Sequence, residues 1–302
     1  MGYNRNSGWG QIDILAMASQ RPLSFGKTLF VMKSTDENYD RMTNIVKPDQ
    51  DGSLRLFTNV ADSLDYAEDN DTIYIAPGIY DEGEELVISQ ANLKLIGTNS
   101  SGICWGPCSL KQSSANHHII SIQANGSEVA GLGFIVNGAY RGIEIDHTAA
   151  VYKTHIHDCH FGGSATATYG VYAGGTFDAV DTVIEDCEFL SWSTAAIRLN
   201  ATRSKARRNV IFGVDSSIGI EYVPNAADRP YGYICDNDIA GTGTTDTGIK
   251  LTGVPTKGLL QMSRNYISAC ATPITVTASG DGIGANNYVS SDAGGALIDI
   301  DT

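Results

Sequence analysis

Side-chain chemistry is most concentrated in the stretch Thr154-His155-Ile156-His157-Asp158-Cys159-His160. Side chains of an extended strand alternate sides, so His155 and His157 share one side and Ile156 takes the other. With Ile156 inward the two imidazoles face outward, and a corner after His157 must reset the alternation to bring Cys159 inside. One period further along the chain, Glu185 falls beside His157 and Glu188 beside His160. His155, His157 and Glu185 make the donor set of a two-histidine, one-carboxylate metal centre. The same groups could form an acid/base cluster. The plainer reading is surface histidines paired with acids of the next turn, and on it no catalytic residue, resident metal or cofactor is expected.

Glycoside hydrolysis needs two carboxylates at a set separation across a groove. Asp158, Glu185, Asp186 and Glu188 could supply such a pair, but they also fit a structural column of charges. Asp215, Asp228 and Asp246 are scattered through loops, and Trp192 and Tyr231 are isolated aromatics. A sugar-cleaving groove needs long walls, and the spacing below leaves little chain for them.

These residues are positioned by a repeat. From about residue 120 a two-part phrase recurs. Its first part is an apolar alternation: Ile120-Ser121-Ile122, Ile143-Glu144-Ile145, Val171-Tyr172-Ala173, Ile197-Arg198-Leu199, Ile220-Glu221-Tyr222, Ile249-Lys250-Leu251, Ile274-Thr275-Val276 and Ile298-Asp299-Ile300. The steps are 23, 28, 26, 23, 29, 25 and 24 residues. The second part ends in Asn or Cys, one residue, then an apolar residue: IHDCHF, IEDCEF, ARRNVI, ICDNDI, MSRNYI, IGANNY. A fixed period of this size marks stacked units that cannot bury their apolar face alone. Each unit is strand-rich and glycine-punctuated, which predicts an all-β solenoid, a parallel β-helix of about nine to ten turns.

Equivalent positions of such a solenoid stack ~4.8 Å apart. The column Cys159, Cys187, Asn209, Asn237, Asn265 and Asn286 is predicted to face inward at a corner, where Asn satisfies backbone groups that the bend leaves unpaired. Beside it the column Asp158, Asp186, Arg208, Asp236, Arg264 alternates in sign from Asp186 on, as does Arg198, Glu221, Lys250 on the first strand. Opposite charges on neighbouring strands stabilise the pairing and penalise a slipped turn. Cys159 and Cys187 read as buried stacked thiols, with a disulfide left open by the spacing.

Composition narrows the function classes. The 302 residues carry a net charge of −14, which excludes bulk neutralisation of phosphates, so neither nucleic acid nor an anionic membrane is an expected partner. No run approaches the length of a membrane span, and the first 30 residues do not read as a signal peptide, which predicts folding in a cytoplasm. The six cysteines include the CxxxC of Cys104 and Cys108, which is neither a redox nor a zinc motif.

The chain divides into an arm (1–25), a small strand-rich linker segment (26–57) and the solenoid (58–302). In the arm Trp9, Ile14 and Leu15 are apolar anchors for a partner. A short helix is predicted over 58–68, with Thr58 or Asn59 as N-cap and Val60, Leu64 and Ala67 on one face. The strands Asp71–Ile75, Leu86–Ile88 and Leu93–Gly97 follow.

That order, a helix then DTIYIAPGIY, LVI and LKLIG, resembles the opening of pectin-lyase-like right-handed β-helices, over roughly residues 58–302. The resemblance implies a right-handed coil whose N-terminal end is plugged by the helix. It leaves activity open, because the fold hosts lyases, hydrolases and non-enzymes. Lyases of that fold use clustered Asp ligands for calcium and a basic residue as proton acceptor, and no matching cluster stands here. Upstream, FGKTLFVMKSTDENYDRM…PDQDGSLRLFTNVADSLDYAEDNDTIYIAPG (25–78) is similar to virion structural proteins of tailed, particularly marine, bacteriophages. That resemblance implies a non-enzymatic capsid decoration protein in the virion, bound to the major capsid or another virion protein through its arm, and, as virion β-helices commonly are, a homotrimer. The alternatives are a tailspike-like polysaccharide lyase or hydrolase and a non-catalytic glycan-binding adhesin.

Overall fold

The computed structural model describes residues 26–46, 48, 52, 55–98, 108–112, 117–145, 150–174, 179–200, 202–214, 217–223, 232–242, 246–252, 260–276 and 287–290. Trp9, Ile14, Leu15, Cys104, Asp215, Asp228, Tyr231, Asn286 and the last predicted alternation, Ile298 to Ile300, lie outside them.

Three long parallel sheets run the length of the molecule. One turn visits each in order, as in His155–His157 on sheet I, His160–Gly163 on sheet II and Tyr169–Ala173 on sheet III. The next turn repeats this with Val183–Glu185, Glu188–Leu190 and Ala195–Leu199, each paired to its predecessor. The chain is therefore a parallel β-helix. The described residues give eight complete turns from Thr72 to Val276, with a strand of a further turn at Tyr288–Ser290.

The predicted alternations stack in the predicted register on sheet III: Ile120, Ile143, Val171, Ile197, Ile220, Ile249 and Ile274 follow one another across its pairings. The cause is burial. Each turn adds inward apolar residues from every strand, two of them on sheet III strands such as Ile143 and Ile145, and these stacks form one continuous core. On sheet II, Phe134, Phe161 and Phe189 lie face to face, with ring centroids 4.6 and 4.7 Å apart. Trp192 is buried in this core rather than displayed on a groove.

The alternation is reset at the corner after sheet I. Asp158, Asp186, Arg208, Asp236 and Arg264 all have φ between 52° and 59°. One left-handed residue per turn redirects the chain so that the following Cys or Asn points inward. A second left-handed column precedes sheet I at Gly126, Lys153, Asp181 and Arg203. It delivers a fully buried ladder of Ser127, Thr154, Thr182 and Ser204.

Within segment 26–57, the described strands are built into the solenoid. Thr28–Val31 pairs with Thr72–Ile75 on sheet I, and Leu56–Phe57 pairs with Thr28–Val31 on the outer edge. Between them lies a helix α1, Tyr39–Ile45, whose Met42 is buried in a satellite cluster with Phe30, Met32, Val46, Leu56 and Ala76. The predicted helix is present as α2, Val60–Tyr66, and Asn59 caps it by accepting from Asp62 N at 2.7 Å. Val60, Leu64 and Ala67 are buried, and α2 packs on strands of all three sheets across the N-terminal end. Among the described residues no helix is long and apolar enough to cross a membrane.

Candidate functional site

His155 and His157 stand on the outer face of sheet I, with Ile156 fully buried beneath them, and His160 opens the next strand, on sheet II, where it is buried. Strand register sets His157 opposite Glu185, as expected. The side chains choose otherwise. Glu185 reaches His155, whose Nε2 lies 2.8 Å from Oε1, and it also takes Arg207 and, at 2.7 Å, Arg208. His157 lies between Asp158 at 2.7 Å and Glu128, on the preceding turn, at 3.3 Å. His160 Nδ1 pairs with Glu188 at 3.2 Å.

Each imidazole thus has its own acid. The Glu128 carboxylate, followed by Asp158, holds His157 up at about 9 against burial, and His157 and Lys94 together bring Glu128 down to about 2. Burial opposes ionisation of Glu185, yet Arg207, His155 and Arg208 outweigh it and bring the carboxyl to about 2. A carboxylate held by two guanidiniums is a poor metal ligand and a poor general base. His155, His157 and Glu185 do not converge as a metal centre.

Among the described residues, one group of acids and imidazoles does converge, with ligand atoms within 4.8 Å: Glu85, His118 and Glu144 on the outer side of sheet III. The sequence reading missed it because its members lie on three successive turns. Its protons are set against a cation. The Arg141 backbone N–H donates to His118 Nδ1 at 3.2 Å. A ring nitrogen that accepts carries no proton, so the proton sits on Nε2, which faces Glu144 Oε2 at 2.9 Å. A metal needs the Nε2 lone pair. The Arg141 guanidinium further neutralises Glu144.

The corner ladder is present. Asn209 Nδ2 donates to Ile184 O and to Asn237 Oδ1, both at 3.0 Å. Asn237 Nδ2 donates to Ala206 O at 3.0 Å and Asn265 Oδ1 at 2.8 Å. Asn265 Nδ2 continues to Asn287 Oδ1 at 2.8 Å. The last place therefore belongs to Asn287, one residue beyond the expected Asn286, because Tyr266 pairs with Tyr288 and fixes the preceding residues level. At the other end of the column Cys159 and Cys187 are free buried thiols. Burial, followed by the neighbouring Cys159, pushes the Cys187 thiol well up.

Sheet III brings Arg141 and Arg198 onto Tyr172, a meeting that sequence reading did not assemble. The Arg141 guanidinium lies 3.7 Å and the Arg198 guanidinium 5.1 Å from the Tyr172 ring centre. Arg198 continues to Glu221 at 3.4 Å, and Glu221 to Lys250 at 3.8 Å. Asp246 does not face this surface: it is fully buried and accepts from Thr242 N at 2.8 Å.

No family model matches the chain, and no curated protein matches its sequence. Solved structures do match. A pectin methylesterase from Aspergillus niger superposes with a TM-score of 0.51 at 12% identity, over 89% of this chain and 86% of that one. The Escherichia coli protein YbhC gives 0.51 at 10% identity, over 81% and 84%. The fold is the pectin-lyase-like right-handed parallel β-helix. The alginate lyase AlyGC matches at 0.49 and 14% identity, over 88% of this chain and 40% of that one. At such identities the likeness concerns the β-helix alone and carries no activity with it.

Proposed function

We propose that this β-helix is a non-catalytic structural protein of a tailed-phage virion, a capsid decoration protein that assembles as a homotrimer. Residues 1–25 anchor it to the major capsid protein or another virion protein through Trp9, Ile14 and Leu15, which lie outside the described residues. The observation that carries the non-catalytic part is the pairing of outer carboxylates. Asp181, Asp186 and Asp236 each accept from Nε and Nη2 of an arginine on a later turn, at 2.7–2.8 Å. Glu185 is held by Arg207, Arg208 and His155. Charges bound this way stabilise register and are poorly suited to proton transfer. The virion part rests on the resemblance of residues 25–78, and a net charge of −14 suits a surface facing solvent.

The test is incorporation. Particles lacking the protein should take up the full chain and refuse the double variant Trp9→Ala, Leu15→Asp, with the β-helix equally folded by circular dichroism. Uptake of the variant would remove the anchor. Cleavage or de-esterification of a polysaccharide by the purified chain, lost in Glu185→Gln or Asp186→Asn, would replace the structural reading by an enzymatic one.

A further inference from the structure

The later strands of sheet II show solvent an apolar face. Ile211, Ile239 and Ile267 point inward and are fully buried, so the residues on either side of each point out. On one outward row Val210, Asp238, Tyr266 and Tyr288 follow one another, and on the other Leu190, Phe212 and Ala240. Phe212 is 40%, Tyr266 47% and Tyr288 63% exposed. Large apolar side chains exposed singly are ordinary, but here three rings share one face within four neighbouring strands. Those four strands, Val210–Val214, Asp238–Gly241, Tyr266–Ser268 and Tyr288–Ser290, carry one ionisable acid or base, Asp238, apart from the tyrosine hydroxyls.

Charge and size say what covers this face. Each chain carries −14, so two copies repel one another least where they meet through a surface with few charges. The other two sheets turn ionised columns outward: Glu185 and Arg207 on sheet I, and Arg198, Glu221 and Lys250 on sheet III. The corner beside sheet II is lined by the ion pairs Asp186–Arg208 and Asp236–Arg264, a polar rim next to an apolar centre. Nine strands ~4.8 Å apart make the sheet roughly 38 Å long, and six residues per strand with its corners make it roughly 20 Å wide. That area is on the order of the ~800 Å² each partner gives to a standard interface. Every copy has the same rows at the same spacing, so a parallel neighbour meets them row on row.

We propose that copies of this chain meet through the outer face of sheet II, side by side and parallel, with Phe212, Tyr266 and Tyr288 at the centre of the contact. The inference rests on the trimer of the proposed function and names the surface that makes it. Parallel packing brings the Asp238 carboxylates of the copies to one level, where like charges oppose association.

The test is sedimentation velocity of the full chain from ~1 to ~100 μM, the weak end of the range for interfaces of this size. Trimers are expected at the upper concentrations. The double variant Tyr266→Asp, Tyr288→Asp should weaken association at least about tenfold. Tyr233→Asp, which alters a ring 39% exposed on sheet I, should leave it unchanged. Asp238→Asn should tighten it. All four side chains are exposed, and circular dichroism checks that each variant keeps the fold. A chain that stays monomeric throughout, or a trimer indifferent to the double variant, would overturn the proposal. A trimer that survives the double variant and is lost on deleting residues 1–25 would place the contact in the arm and overturn it too. Trimers that shells refuse would contradict the virion reading and leave this surface standing. Monomers that shells take up would do the reverse.

Discussion

Arg208 and Asp186 face each other across adjacent turns in a two-pronged pair, Nε to Oδ1 at 2.8 Å and Nη2 to Oδ2 at 2.7 Å, and both have left-handed backbones, with φ of 54°. The corner needs a left-handed residue, and any side chain other than glycine resists that conformation by about 1–2 kcal/mol. The exposed pair returns only about 0.2–1 kcal/mol. Arg208→Ala loses the pair and keeps the strain. Arg208→Gly loses the pair and relieves it, less the extra freedom glycine gives the unfolded chain. The glycine variant should therefore be more stable than the alanine variant by about 0.5–1 kcal/mol in urea unfolding. The reverse order would mean that the corner is not left-handed in solution.

Asn237 is the middle of the corner ladder. Its side chain accepts from Asn209 N and Nδ2 and donates to Ala206 O and Asn265 Oδ1. Asn237→Ala leaves these groups buried and unpaired and should cost about 3 kcal/mol or more. Asn237→Cys should cost less, because thiols at the equivalent Cys159 and Cys187 reach backbone carbonyls of their own turn at 3.2 Å. Denaturant midpoints of the two variants give the comparison.

The Glu128–His157 pair predicts how stability depends on pH. His157 is raised from 6.5 to about 9, so its contribution is complete below pH 6.5 and fades as pH climbs through 9. Glu128 is lowered from 4.5 to about 2, so its contribution is complete above pH 4.5 and fades as pH falls through 2. The melting temperature should fall between pH 6.5 and 9, and His157→Gln should flatten that limb. A variant with the same slope as wild type would assign the loss to other groups.

Phe161 is fully buried, its ring stacked between Phe134 and Phe189. Phe161→Ala should cost about 3–5 kcal/mol, and Phe161→Leu distinctly less, because the latter leaves a smaller cavity. Equal losses would mean that the stack collapses around either change.

The solenoid was legible because burial repeats: every turn must present an apolar residue at the same place, so Ile143, Val171 and Ile197 announce both period and register. Backbone conformation leaves a fainter trace. Asp158 and Arg208 share a left-handed φ but not a residue type, and the chemistry of the column hid its geometry. Asn286 and Asn287 are adjacent, so the motif fitted either until the Tyr266–Tyr288 pairing decided. Glu185 lies level with His157 as the spacing predicts, but register fixes only which Cα atoms are level, while side-chain reach and the nearby arginines decide that its carboxylate meets His155. Helix α1 escaped notice because it is one short segment with only Met42 buried and no side-chain cap. Tyr172, Arg141 and Arg198 meet only once the turns are stacked.

The most direct test of the structural reading is electron microscopy of particles lacking the protein after mixing with the purified full chain. The account predicts regular added density on the shell, in trimers, saturating at a fixed number per particle. Particles that stay bare, together with polysaccharide turnover by the same preparation, would contradict it.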